Sequence, residues 1–126
     1  MNSSYSKNRW VILEHRLNKI NLEGIHYDLL IEDGPSCKSW RLTHLPVVDG
    51  PAVQAIASEP HKLEWLEKKE AFVSCGRGWA HQVQEGIYEG SLSSQTNSEV
   101  ISITIHTNTI SAILQLSTTT CKILSI

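Results

Sequence analysis

The sequence predicts a mainly β protein, a compact β-barrel of about eight or nine short strands with one short flanking helix. Three observations predict it. Short apolar segments recur along the chain, several with strict apolar/polar alternation. Clusters of Gly, Pro, Asp and Asn separate them. Helical spacing occurs in a single brief stretch. The 126 residues suit one domain, expected over 9–126 behind a polar N-terminal tail at 1–8. A chain of this size buries roughly two-thirds of its unfolded surface, so a core needs no disulfides.

The elements follow in order. Residues 10–15, rich in β-formers, make a first strand with Val11, Leu13 and His15 on one face and Trp10, Ile12 and Glu14 on the other. A loop runs over 18–24. A second strand, 25–32, is stopped by Asp33-Gly34-Pro35, so that 37–44 forms a hairpin with it. A loop with Pro46, Asp49, Gly50 and Pro51 precedes a fourth, shorter strand at 53–57. Ser58 then reads as an N-cap with Pro60 in the first turn, and Leu63 and Leu66 carry helical spacing through Lys69. Cys75-Gly76-Arg77-Gly78 is a tight turn by composition. Strands at 79–83 and 87–92 flank Gly86. Residues 100–107 alternate Ile101, Ile103 and Ile105 against Ser102, Thr104 and His106, a half-buried strand. Strands at 110–116 and 119–126 end the chain.

Composition narrows the function. The net charge of −2 argues against a polybasic nucleic-acid coat and against a basic membrane-surface binder. It leaves room for a partner contacted through a small local site. Three cysteines without a CxxC pair suggest neither a disulfide framework nor a thiolate zinc knuckle. No segment suits a signal-peptide core or the roughly 20 apolar residues of a membrane helix. A cytoplasmic protein with no membrane partner is expected.

Of the six histidines, His26 stands out in Ile25-His-Tyr-Asp-Leu-Leu-Ile-Glu32. On a strand, His26 and Asp28 share a face with Cα atoms about 6.6 Å apart. A His nitrogen and an Asp oxygen so placed converge on one metal ion; a plain His–Asp hydrogen bond fits the same spacing. His15, at the end of the Val11/Leu13 face, is the candidate third ligand if the two strands are neighbours. Two imidazoles and one carboxylate leave coordination positions for water and substrate, as catalytic rather than structural sites do.

Several pieces in order carry a family resemblance: Glu14-His15, His26-Tyr-Asp-Leu29, Lys38-Ser-Trp40, Glu59-Pro-His61 with Trp65 four residues on, the Val73 to Gly78 turn, and Gly86-x-Tyr88-Glu89. Over about residues 9–90 the chain resembles the 3′-phosphoesterase domain of bacterial DNA ligase D, most closely its short stand-alone relatives. The resemblance implies a β-barrel and one divalent ion, Mn2+ first with Zn2+ or Co2+ as alternatives, held by His15, His26 and Asp28. It implies removal of 3′-phosphates or 3′-ribonucleotides from DNA ends, leaving a 3′-hydroxyl; a smaller phosphate ester is an alternative substrate for the same site. His61 would touch the scissile phosphate or protonate the leaving oxygen. A DNA ligase or polymerase would act in trans.

The chain also departs from the pattern. Leu30 and Val53 stand where the family carries Arg, and Trp65 where it carries Tyr. Each lost phosphate donor is worth about 2.7–4 kcal/mol by analogy with oxyanion-hole deletions. Residues 17–23 lengthen the spacing from His15 to His26. Arg77, in the glycine turn, and Arg41 are substitute cations or solvated surface charges. Trp65 and Trp79 either stack on bases or pack in the core. The expectation is therefore an active metal-dependent phosphoesterase, with an impaired module that binds metal and phosphate or a DNA end as the alternative.

Overall fold

A computed structural model of the protein describes residues 8–17, 24–73, 78–92 and 100–126. It contains one antiparallel sheet of nine strands: β1 (Arg9–Arg16), β2 (His26–Asp33), β3 (Ser36–Leu42), β4 (Val53–His61), β5 (Glu70–Phe72), β6 (Trp79–Glu89), β7 (Ile101–His106), β8 (Ser111–Leu116) and β9 (Thr120–Ser125). Their order is β1-β2-β3-β4-β9-β8-β7-β6-β5, and a β1–β6 pairing closes the sheet into a ring. The protein is mainly β, as the alternation predicts. Among the described residues no helix is long and apolar enough to cross a membrane.

Alternation along β1 sorts its side chains to two faces. Trp10 and Ile12 enter the main core inside the ring with Leu29, Ile31, Leu42, Ile105, Leu114 and Ile123. Val11 and Leu13 point the other way, into a smaller outer cluster with Leu30, Cys37, Leu66 and Ala80. Tyr88 ties the inside together by donating its hydroxyl to the Glu32 carbonyl at 2.5 Å. The β2–β3 loop is Gly34-Pro35, with Asp33 paired to Ser36. Gly34 has φ +67°. Proline cannot follow it into positive φ, so a type II′ turn is the hairpin turn that fits.

Three expected elements are corrected. First, β4 runs on to His61, so Ser58 is not a helix cap. Its hydroxyl instead meets that of buried Ser39 across the strand pair at 2.8 Å. Pro60 fits here because β4 pairs with β9 only through Val53 and Gln54, leaving its later residues on an edge where a missing N–H is tolerated. Second, the expected flanking helix reduces to a single 3-10 turn, Leu63–Leu66. The Leu63/Leu66 spacing fits that turn as well as an α-helix. Third, Gly86 does not divide two strands. β6 is continuous through it, because a Cβ there would collide with the His106 carbonyl oxygen and lie 2.8 Å from Trp10 Nε1. Glycine marks a close backbone approach at this position, not a turn.

Candidate functional site

β1 and β2 pair so that His15 lies directly opposite His26 and Leu13 opposite Asp28. His26 and Asp28, two residues apart, share the outer face with His15. The three side chains converge there, with one ligand atom from each lying within 4.8 Å of the others. His15 Nδ1 is 2.9 Å from His26 Nε2, and the rings meet edge to face at 89°. His26 Nε2 is 3.6 Å from Asp28 Oδ2. All three are partly buried. The floor beside them is the apolar Leu13/Leu30 cluster.

This donor set fits a divalent cation. Ligands about 2.1 Å from a cation at right angles are about 3 Å apart. The observed 2.9 and 3.6 Å lie close to that spacing. Two imidazole lone pairs and one carboxylate also suit a borderline or hard dication, and leave coordination positions for solvent and substrate.

The surroundings shape one side of the cluster. Ala80 of β6 lies opposite His15 on the other edge of β1. Gly78 has φ +109°, and a Cβ on it would strike the Arg16 carbonyl oxygen and come within 3.0 Å of His15 Nε2. Gly78 therefore passes directly over His15, and this position must be glycine. On the opposite side, β3 places Arg41 across from Asp28.

The other predicted site residues are distributed as follows. His61 pairs with Cys37, which in turn pairs with Glu32. It thus lies two strands across from β2 and about 13 Å farther along it than Asp28. Its Nδ1 is 3.1 Å from the Glu59 carbonyl oxygen. Trp65 sits in the 3-10 turn, half-buried against the outer apolar cluster, with Lys68 Nζ 4.7 Å from its ring centre. Arg77 and Cys75 lie outside the described residues, as does most of the 17–23 insertion. Leu30 is fully buried and Val53 nearly so, one in each apolar cluster.

His81 matches no motif in the sequence and reads there as a structural histidine. It belongs to a polar group on the inner face of the same ring end, behind the His15 cluster. Glu14 receives Arg16 Nε at 2.5 Å and the Tyr27 hydroxyl at 3.5 Å, and lies 3.9 Å from His81 Nε2. Burial and the Glu14 charge push the Tyr27 phenol up. Trp79 lies against His81, with ring centres 4.5 Å apart. Alternation on β1 was the available signal, since it puts Glu14 and Arg16 on the face opposite His15.

No family model matches the chain, and a search of curated proteins finds no relative.

Proposed function

We propose that this protein is a divalent-metal-dependent phosphoesterase-like protein that acts on DNA 3′ ends, removing a 3′-phosphate or 3′-ribonucleotide to leave a 3′-hydroxyl. The observation that carries the reading is the convergence of His15, His26 and Asp28 within 4.8 Å. These residues would hold one dication, Mn2+ first and Zn2+ or Co2+ as alternatives. Bound there, it supplies Lewis-acid chemistry, neutralising phosphate charge and making water a stronger acid. The chain's own contribution is positional. Cross-strand pairing fixes both imidazoles, and the Leu13/Leu30 floor keeps water from one side of them.

A second reading has its own support. The positions at which the resemblance calls for arginine are packed apolar, Leu30 at 0 % exposure and Val53 at 9 %. Such a site binds metal and a phosphate or DNA end with weakened turnover. An end-processing assay separates the two readings. With Mn2+ and a 3′-phosphorylated or 3′-ribonucleotide primer–template, the first reading expects release of phosphate or nucleotide, lost on chelation. Metal-dependent binding without release supports the module, and the absence of both contradicts each.

A further inference from the structure

Arg41 has a position that its sequence neighbours do not reveal. It lies directly opposite Asp28 in the β2–β3 pair, on the outer face that carries His15 and His26. Directly opposed residues bring their Cβ atoms to about 5 Å, so a guanidinium on its long stem reaches the rim of the same site. Arg41 is exposed, and its side chain has no hydrogen-bond or ion-pair partner among the described residues. Arg9 and Arg16, by contrast, are bound by carboxylates. Trp40 and Leu42, its neighbours in sequence, are committed to the main core. Their packing and the two-residue hairpin loop fix the β3 register, and that register keeps Arg41 beside Asp28.

We infer that Arg41 is the anion-binding residue of this site and selects a terminal phosphate monoester, a dianion, over a phosphodiester. The inference rests on the metal-site reading above. Charge balance decides the class. Metal-bound imidazoles are neutral. Two of them and one carboxylate around a dication leave a single net positive charge. The guanidinium of Arg41 adds a second. A dianionic terminal phosphate neutralises both, whereas a diester monoanion leaves one uncompensated. Arginine also meets phosphate with two parallel N–H donors, which a lysine cannot.

The test uses two inert probes: an oligonucleotide ending in a 3′-methylenephosphonate, and the same oligonucleotide with that phosphonate as its mono-methyl ester. Affinities are measured at alkaline pH in Mn2+. The wild-type protein is expected to prefer the dianion by about tenfold or more, the scale of one charge-assisted hydrogen bond. Arg41→Gln is expected to reduce that preference to within about threefold while its own Mn2+ affinity rises by up to about threefold, because a nearby positive charge is gone. Arg41→Lys is expected to fall between. Lys38→Gln, on the same strand but paired with Asp33 at 3.8 Å, changes neither quantity. A merely structural role for Arg41 would not move metal and anion affinity in opposite directions. Mn2+ uptake with a monoester preference indifferent to Arg41 overturns this inference alone. Absence of Mn2+ uptake by the wild-type protein overturns the metal reading and the inference together.

Discussion

The two ends of the outer face make opposite use of the same strands. At the start of β1, Arg9 is held between carboxylates: its Nε and backbone N–H both reach Glu32 Oε1, at 3.1 and 3.0 Å, and Nη1 reaches Glu67 at 3.2 Å. The Glu32 hydrogen bond pushes the guanidinium above its ordinary range, against the effect of burial. At the end of β1, two imidazoles and a carboxylate converge, and Arg41 lies across from Asp28 with no ion-pair partner among the described residues. Between the ends lie Val11, Leu13, Leu30 and Leu66. A cluster whose charges already satisfy one another is a clasp. A convergence of imidazole and carboxylate donors is the arrangement on which the proposed metal site rests.

The largest expected effect breaks the floor that both ends share. Leu30→Ala is expected to cost about 2–5 kcal/mol in chemical denaturation, as deletions from a packed cluster do. A loss below about 1 kcal/mol would mean that the outer cluster is not a core. Glu32→Gln should cost about 1–3 kcal/mol, because Arg9 keeps a partner but loses its charge. Mn2+ uptake should be unchanged, and if it fell, the two ends would not be independent.

His61 sharpens the comparison by its distance. A general acid contributes about 10²- to 10⁴-fold to turnover. By register His61 stands nearer the clasp than the metal end, so His61→Ala is expected to lower turnover by less than about tenfold and to leave Mn2+ uptake intact. A loss of about a hundredfold or more with metal retained would mean that the substrate extends along the whole outer face.

The remaining effect is alkaline. Burial pushes the Cys37 thiol up to about 11 and the Cys121 thiol up to about 12. The folded state therefore favours the protonated thiols. Their contribution is complete below the ordinary thiol range near 9 and is lost as pH rises from there through about 11 to 12. The Tyr27 and Tyr88 phenols, also raised chiefly by burial, act in the same direction. Denaturation midpoints should fall above about pH 9, less steeply in Cys37→Ala. A flat profile would contradict this.

Much of this was legible in the sequence, for reasons that differ by element. Strict alternation at Ile101, Ile103 and Ile105 and on both faces of β1 revealed strands and faces directly. The Gly34-Pro35 loop is short enough to fix the pairing of Asp33 with Ser36, and by counting back, that of Asp28 with Arg41. That second step is plain once the hairpin is granted, although Arg41 read alone is an ordinary surface charge. The pairing of His15 with His26 was not fixed locally, because the loop between them is too long to set a register. The shared apolar face of Val11, Leu13 and Leu30 sets it instead. The helix failed because Ser58 and Pro60 are ambiguous signals. A cap hydroxyl also serves as a cross-strand partner, and a first-turn proline also suits an unpaired edge. Gly86 failed because a glycine demanded by a carbonyl from β7 resembles a turn glycine until the neighbouring strand is known.

The most direct measurement is a Mn2+ titration by calorimetry, with metal analysis of the same samples, on the wild-type protein and on His26→Ala, Asp28→Ala and the double variant. One ion per chain, taken up by the wild-type protein and by none of the variants while all remain folded, is the expected result. Uptake of an equal amount of Mn2+ by the folded double variant would contradict a cation held by His15, His26 and Asp28.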